Sequence, residues 1–166
     1  MSGPVAELFR QYHASLVRML YRRTGDRERA EEIAQETFAR AVAAPPRNPR
    51  PWLFAVALNL IREEARTASR QARRLVLYRA EQPDRAAAPD ELLDRAEGIA
   101  RVRQALDLLS ERDREALLLK AEGFNYDEIA ATLGLARGAV GTTLARARRR
   151  LVEAYRAGEE QQHVAS

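Results

Sequence analysis

Apolar residues return every three or four positions along most of this chain, the spacing of helices that bury one face. Val5, Leu8, Phe9, Tyr12, Leu16 and Leu20 make the first stripe, with Ser2 and Pro4 as its start and Thr24-Gly25 as its end. Asp26 can cap a second helix, whose buried side is Ala30, Ile33, Ala34, Phe38, Ala41 and Val42. Four prolines between Ala43 and Pro51 then predict a stiff, exposed loop, because each removes a donor and restricts its predecessor. A third helix is expected from about Pro51 or Trp52, with Trp52, Leu53, Val56, Leu60 and Ile61 on its apolar side. The pattern lapses over 79–90 and resumes near Asp90 with Leu92, Leu93, Ala96, Ile99, Val102, Leu106 and Leu109. Ser110 with Asp113 is a variant capping box opening a helix over 111–122, which Gly123 ends. No alternating run of β-branched residues occurs, so the expected class is all-α.

The densest signal lies at 125–151. Asn125 can cap a short helix, with Glu128 three residues on completing a capping box. Ile129, Ala130 and Leu133 form its apolar face, and Gly134 stops it. A second helix begins near Arg137, with Val140, Leu144, Ala147 and Leu151 inward and Arg137, Thr142, Arg146, Arg149 and Arg150 marking the rest. Two helices, a tight turn and a basic outer stripe make a helix-turn-helix that points to DNA. This last helix is expected to run to about Ala157, leaving a polar, frayed tail at 159–166.

Charge divides the chain further. Residues 1–75 hold 14 arginines against 8 acidic groups, 76–100 hold 3 against 6, and 101–166 hold 11 basic against 10 acidic groups. Two modules flanking an acidic linker fit that distribution. Within the first module, Glu28, Glu31, Glu32, Gln35 and Glu36 line the outer face of the second helix, which suits solvent or a basic protein partner. Trp52 reads as a core anchor, whereas Asn59, a mediocre helix former among apolar neighbours, reads as a hydrogen-bonding residue.

Several function classes fall away. There is no cysteine, and His13 and His163 are far apart, so neither a disulfide framework nor a metal or cofactor site is expected. No phosphate-binding glycine loop or nucleophile–base set suggests an enzyme. No apolar run approaches a membrane span and no signal-peptide core is present, so a cytoplasmic protein without membrane insertion is expected.

Three stretches together resemble the sigma-70 family, in its extracytoplasmic-function (ECF) group: DRERAEEIAQETFARAV at 26–42, PWLFAVALNLIREEAR at 51–66, and LSERDREALLLKAEGFNYDEIAATLGLARGAVGTTLARARRRL at 109–151. The resemblance implies two small helical domains, sigma region 2 over 1–75 and sigma region 4 over 91–158, joined by a linker at 76–90. It implies a factor that binds core RNA polymerase and lends it promoter recognition. Glu32, Gln35 and Glu36, with Phe38 behind them, would then meet the polymerase. Arg47 and Asn48 would read flipped bases of the −10 element, and Asn59, Arg62 and Arg66 would face DNA at the duplex edge. Arg137, Gly141, Thr142, Arg146 and Arg149 would meet the −35 element in the major groove. An anti-sigma factor is a further implied partner. The main alternative is a stand-alone helix-turn-helix regulator of duplex DNA, which would leave the first module without a purpose; a second is a sigma-like structural or regulatory partner with no initiation activity.

The chain departs from the family in its recognition helix, where Ala136, Gly141 and Thr143 stand in place of a capping serine, a basic residue and an arginine. A less basic −35 face is therefore expected, with either weak −35 dependence or an unusual −35 sequence. Glu63 stands where the family usually has aspartate, which keeps the charge.

Overall fold

The computed structural model describes residues 3–74 and 90–165, with the side chains at 69, 71–74 and 90–94 left out. The start signal at Ser2, nearly all of the expected linker, and the inward positions of Leu92 and Leu93 lie outside the described residues. The described residues form helices α1 (Pro4–Thr24), α2 (Arg27–Ala43), α3 (Pro49–Arg74), α4 (Asp90–Asp107), α5 (Glu111–Ala121), α6 (Tyr126–Leu133) and α7 (Arg137–Ala165). The all-α expectation holds.

Local chemistry sets most of the ends. Gly25 takes the left-handed conformation (φ 74°) after α1, and its N–H bonds to the Tyr21 carbonyl. Asp26 accepts from the Arg29 N–H at 3.1 Å to start α2. Ser110 accepts from the Asp113 N–H at 3.2 Å to start α5. At α6 the capping box closes in both directions: Asn125 accepts from the Glu128 N–H at 2.8 Å, and Glu128 accepts from the Asn125 N–H at 3.0 Å.

Two expected boundaries move. α3 begins at Pro49, so the loop shortens to 44–48. Pro49 and Pro51 fall in the first turn, where N–H groups have no intrahelical acceptor and a fixed φ fits. The Trp52 N–H makes an early helical bond, to the Asn48 carbonyl at 3.3 Å. At the other end α7 continues through the polar tail to Ala165 instead of fraying. Glu159 there reaches Arg101 of α4 at 3.7 Å, a tertiary partner that local composition could not reveal.

α1 and α2 form a hairpin across which α3 packs, while α7 packs on α4, α5 and α6. Ala30, Ala34 and Ala41 of α2 are fully buried, and their small size lets the hairpin close tightly. The two groups of helices also pack on each other, α3 against α6 and α1 against α4 and α5. One hydrophobic cluster runs through both. Phe54 of α3 and Phe124, between α5 and α6, are fully buried and meet edge-on, with ring centroids 4.7 Å apart.

Candidate nucleic-acid and protein interfaces

The expected −10 residues separate into two sets. Arg47 and Asn48 stand exposed on the short loop before α3, and Arg66 is exposed farther along the helix. Arg62, half-buried, reaches across to α5 instead, and Asn59, exposed one turn before it, is bonded to it. The Arg62 guanidinium donates to Asn59 Oδ1 at 2.7 Å and grips both oxygens of Glu115, with Glu111 at 3.8 Å. The carboxylate of Glu115 raises the Arg62 pKa further above its ordinary value through that hydrogen bond.

Arg50 is a residue that the sequence reading passed over as part of the proline loop. Its guanidinium lies 4.1 Å from the centre of the Phe124 ring and donates to Glu128 and to the Glu122 carbonyl, each at 2.8 Å. Glu128 is held below the usual carboxylate range, first by the capping N–H of Asn125 and then by Arg50. A clue was present in the sequence: arginine between two prolines is held near a helix start, with little freedom to wander.

The acidic side of α2 is exposed at Glu28, Glu31, Glu32, Gln35 and Glu36. Glu32 pairs with Arg29, and Glu36 with Arg40 at 3.3 Å, so neighbouring arginines partly offset the face. Phe38 is buried, with its ring 5.1 Å from Phe9 and 6.2 Å from His13. It supports the face from behind. Phe9, 41% exposed, is the aromatic ring that this cluster presents to solvent.

In the helix-turn-helix, Gly134 adopts φ 67° and turns the chain from α6 into α7. Arg137, Thr142 and Arg149 are exposed on α7, and Gly141 is half-buried beside the Tyr126 ring. Arg137 also pairs with Asp127 at 2.9 Å. Arg146 has an internal partner. It donates to Asp113 Oδ1 at 2.7 Å, with Arg150 at 3.3 Å from the other oxygen. Asp113 is fully buried, and the Arg146 hydrogen bond holds its carboxyl below the usual range. Thr143 is buried too, its hydroxyl donating to the Ala139 carbonyl at 2.8 Å. It therefore does not thin the outer basic stripe, which corrects that part of the sequence reading. The exposed arginines of α7 that do not reach Asp113 are Arg137, Arg148, Arg149 and Arg156.

Among the described residues no group of histidines and acids is placed to hold a metal ion, and no helix is long and apolar enough to cross a membrane.

Comparison with known proteins now adds the family. Residues 8–71 match the family described as Sigma-70 region 2, and residues 99–151 the one described as Sigma-70, region 4. The chain is 35% identical over 150 residues to the ECF RNA polymerase sigma factor SigL of Mycobacterium tuberculosis, covering 82% of this chain and 80% of SigL. It is 34% identical over 155 residues to the ECF sigma factor SigE of Mycolicibacterium smegmatis, covering 87% of this chain but 59% of SigE. The fold resembles the sigma factor RpoE of Bartonella quintana, solved in complex with the anti-sigma factor NepR, with TM-score 0.65, 25% identity, and coverage of 91% and 96%. The chain belongs to the sigma-70 family, among its ECF sigma factors.

Proposed function

We propose that this chain binds core RNA polymerase and directs it to promoters, reading one element as single strand and another as duplex. The observation that carries this reading is the division of surfaces within one small chain. An Arg47–Asn48 loop stands exposed at the mouth of the α1–α3 group, and a helix-turn-helix presents Arg137, Thr142 and Arg149 on the other group. The loop is short and anchored at both ends by helices, so little entropy is lost when it closes on a flipped base. The acidic side of α2, with Glu32, Gln35 and Glu36, is the polymerase contact in this reading. The division of labour falls at 1–75 and 91–158, with 76–90 as connector, and the protein works in the cytoplasm. An anti-sigma protein is its expected negative regulator, in keeping with the complex in which the related RpoE was solved. With Gly141 bringing no charge and Arg146 paired to Asp113, the −35 contact is thinly charged, so −35 dependence is weak or the preferred sequence unusual.

In vitro transcription tests this. Purified protein is added to sigma-free core polymerase on its own upstream DNA, alongside Asn48→Ala and Glu36→Ala. Transcripts that require the protein and weaken in both variants support the reading. Tight binding to duplex DNA without polymerase, and no transcript, would favour a stand-alone regulator. If a randomised −35 element abolished transcription as fully as it does for ordinary relatives, weak −35 dependence would be wrong.

A further inference from the structure

The seam between the two helix groups is not filled along its whole length. Where α1 meets α4 and α5, a groove of about 670 Å³ stays open. Its apolar lining runs from the buried Leu106 and Leu118 to Tyr21, Ile99 and Val102, which solvent reaches. Such a surface is better covered by an apolar occupant than by water. The charged side chains that line it are Arg18, Arg22, Arg95 and Arg103, and among the described residues no carboxylate joins them. A volume of this size lies within the range of small-ligand sites, about 300–1,000 Å³, which combine apolar walls with a few placed polar groups.

Two of these arginines are held in place from below. The Glu122 side chain is 1% exposed, and it takes Arg18 on one oxygen at 2.8 Å and Arg22 on the other at 3.0 Å. One carboxylate thus orients two guanidinium groups and offsets only one of their charges. Each guanidinium has five N–H donors. Arg18 turns Nε and Nη2 to Glu122, and Arg22 turns Nη1. Their side chains stay 54% and 44% exposed, so the other donors are open to an anion. We propose that this groove binds a single-chain amphiphilic anion, a free fatty acid. Its carboxylate meets the forks of Arg18 and Arg22, and its acyl chain lies along Tyr21, Ile99 and Val102. The arginines repel a cationic head, and a neutral one leaves their surplus charge unmatched. The site is separate from the surfaces assigned above to DNA and polymerase, and its test involves neither.

Undecanoate carrying a terminal dansyl group reports binding to the full chain by its fluorescence. Laurate, dodecanol and dodecyltrimethylammonium compete for it, each below the concentration at which it aggregates. Laurate should compete about tenfold better than dodecanol, and the cation should not compete. From octanoate to laurate, affinity should rise about fourfold for each methylene that is buried. Arg22→Gln should remove most of laurate's advantage over dodecanol, because Glu122 then offsets the charge of Arg18 alone. Val102→Glu, which sets a carboxylate in the groove, should weaken laurate about tenfold or more. Laurate should also raise the thermal midpoint of the unsubstituted chain, as a ligand of the folded state alone does.

Equal competition by laurate and dodecanol would show that the arginines select nothing, and would overturn the proposal. Dye uptake only above the aggregation point of laurate would overturn it too, in favour of a lipid surface. Uptake that Val102→Glu leaves unchanged would put the ligand elsewhere. A dimer by light scattering that Val102→Glu dissociates would give the groove to a second copy of the chain. Comparing laurate with dodecanol inside each variant separates a lost charge from a lost fold, since misfolding abolishes both, and circular dichroism checks helix content. If Arg22→Gln does not fold, the unsubstituted chain decides: laurate's advantage should shrink as salt screens the arginines, and an advantage flat with salt overturns the proposal.

Discussion

Phe54 and Phe124 give the sharpest test of whether the two helix groups unfold as one body. Both rings are fully buried and touch across the seam, 4.7 Å apart, with Arg50 over Phe124 at 4.1 Å. Truncating either to alanine should cost about 3–5 kcal/mol, a large share of the stability of a domain this size. The gentler Phe54→Leu and Phe124→Leu keep most of the volume, and each should cost about 1.5 kcal/mol. Losing the edge-on ring pair accounts for about 1 kcal/mol of this, and it is lost only once. The double variant should therefore fall short of the sum of the singles by about that amount. Trp52, the only tryptophan, lies on α3 and reports the N-terminal group alone. Urea unfolding is followed by its fluorescence and by circular dichroism on the same samples. Phe124→Leu, a change in the C-terminal group, should lower the Trp52 midpoint as much as the dichroism midpoint. A Trp52 transition that ignores Phe124→Leu, or strictly additive singles, would refute the shared core.

Three other outcomes follow from local geometry. Gly141→Arg places a Cβ 3.5 Å from the Tyr126 ring, an ordinary contact, and removes a helical glycine. It should raise stability by up to about 1 kcal/mol and tighten duplex binding, read by thermal melting and anisotropy. Asn125→Ala removes the side-chain acceptor of the α6 capping box while the backbone N–H of residue 125 can still donate to Glu128, and it should cost about 1 kcal/mol in urea unfolding; a cost near zero would mean that water replaces the cap freely. Asp113 and Glu128 have depressed pKa values, so their stabilisation is complete above the ordinary carboxylate range and is lost as pH falls through the lower folded values. Stability should thus decline below pH about 4. Asp113→Asn should flatten that decline in an acid titration followed by dichroism, and an unchanged slope would count against the Arg146 pairing as its source.

What could be read from the sequence was whatever chemistry acts within a few residues. Asp26, Asn125, Gly25 and Gly134 mark helix ends because their partners lie within four positions, and the structure puts those ends where the residues imply. α3 starts earlier than its apolar pattern predicts, because a first turn has no use for the donors that Pro49 and Pro51 lack. The extension of α7 and the inward turn of Arg146 depend on Arg101 and Asp113, dozens of residues away, and no local pattern encodes them. A basic stripe shows that a helix side is polar, but not whether each arginine meets water, DNA or a buried acid. Arg137 and Arg149 prove outward and Arg146 inward, from one run of sequence.

The same limit explains why charge counting passed over the seam. Residues 101–166 carry 11 basic and 10 acidic groups, nearly neutral in sum, yet the structure turns five of the carboxylates towards α1 and α3, with Arg103 the arginine that joins them there by donating to the Tyr21 and Arg22 carbonyls. Asp107, Glu111, Glu115, Glu122 and Glu128 face the arginines of α1 and α3, while Arg137, Arg148 and Arg149 stand exposed on α7. A half with one acidic and one basic side can dock on the basic N-terminal group in only one sense. In that sense the acidic side is covered and the outer side of α7 stays open.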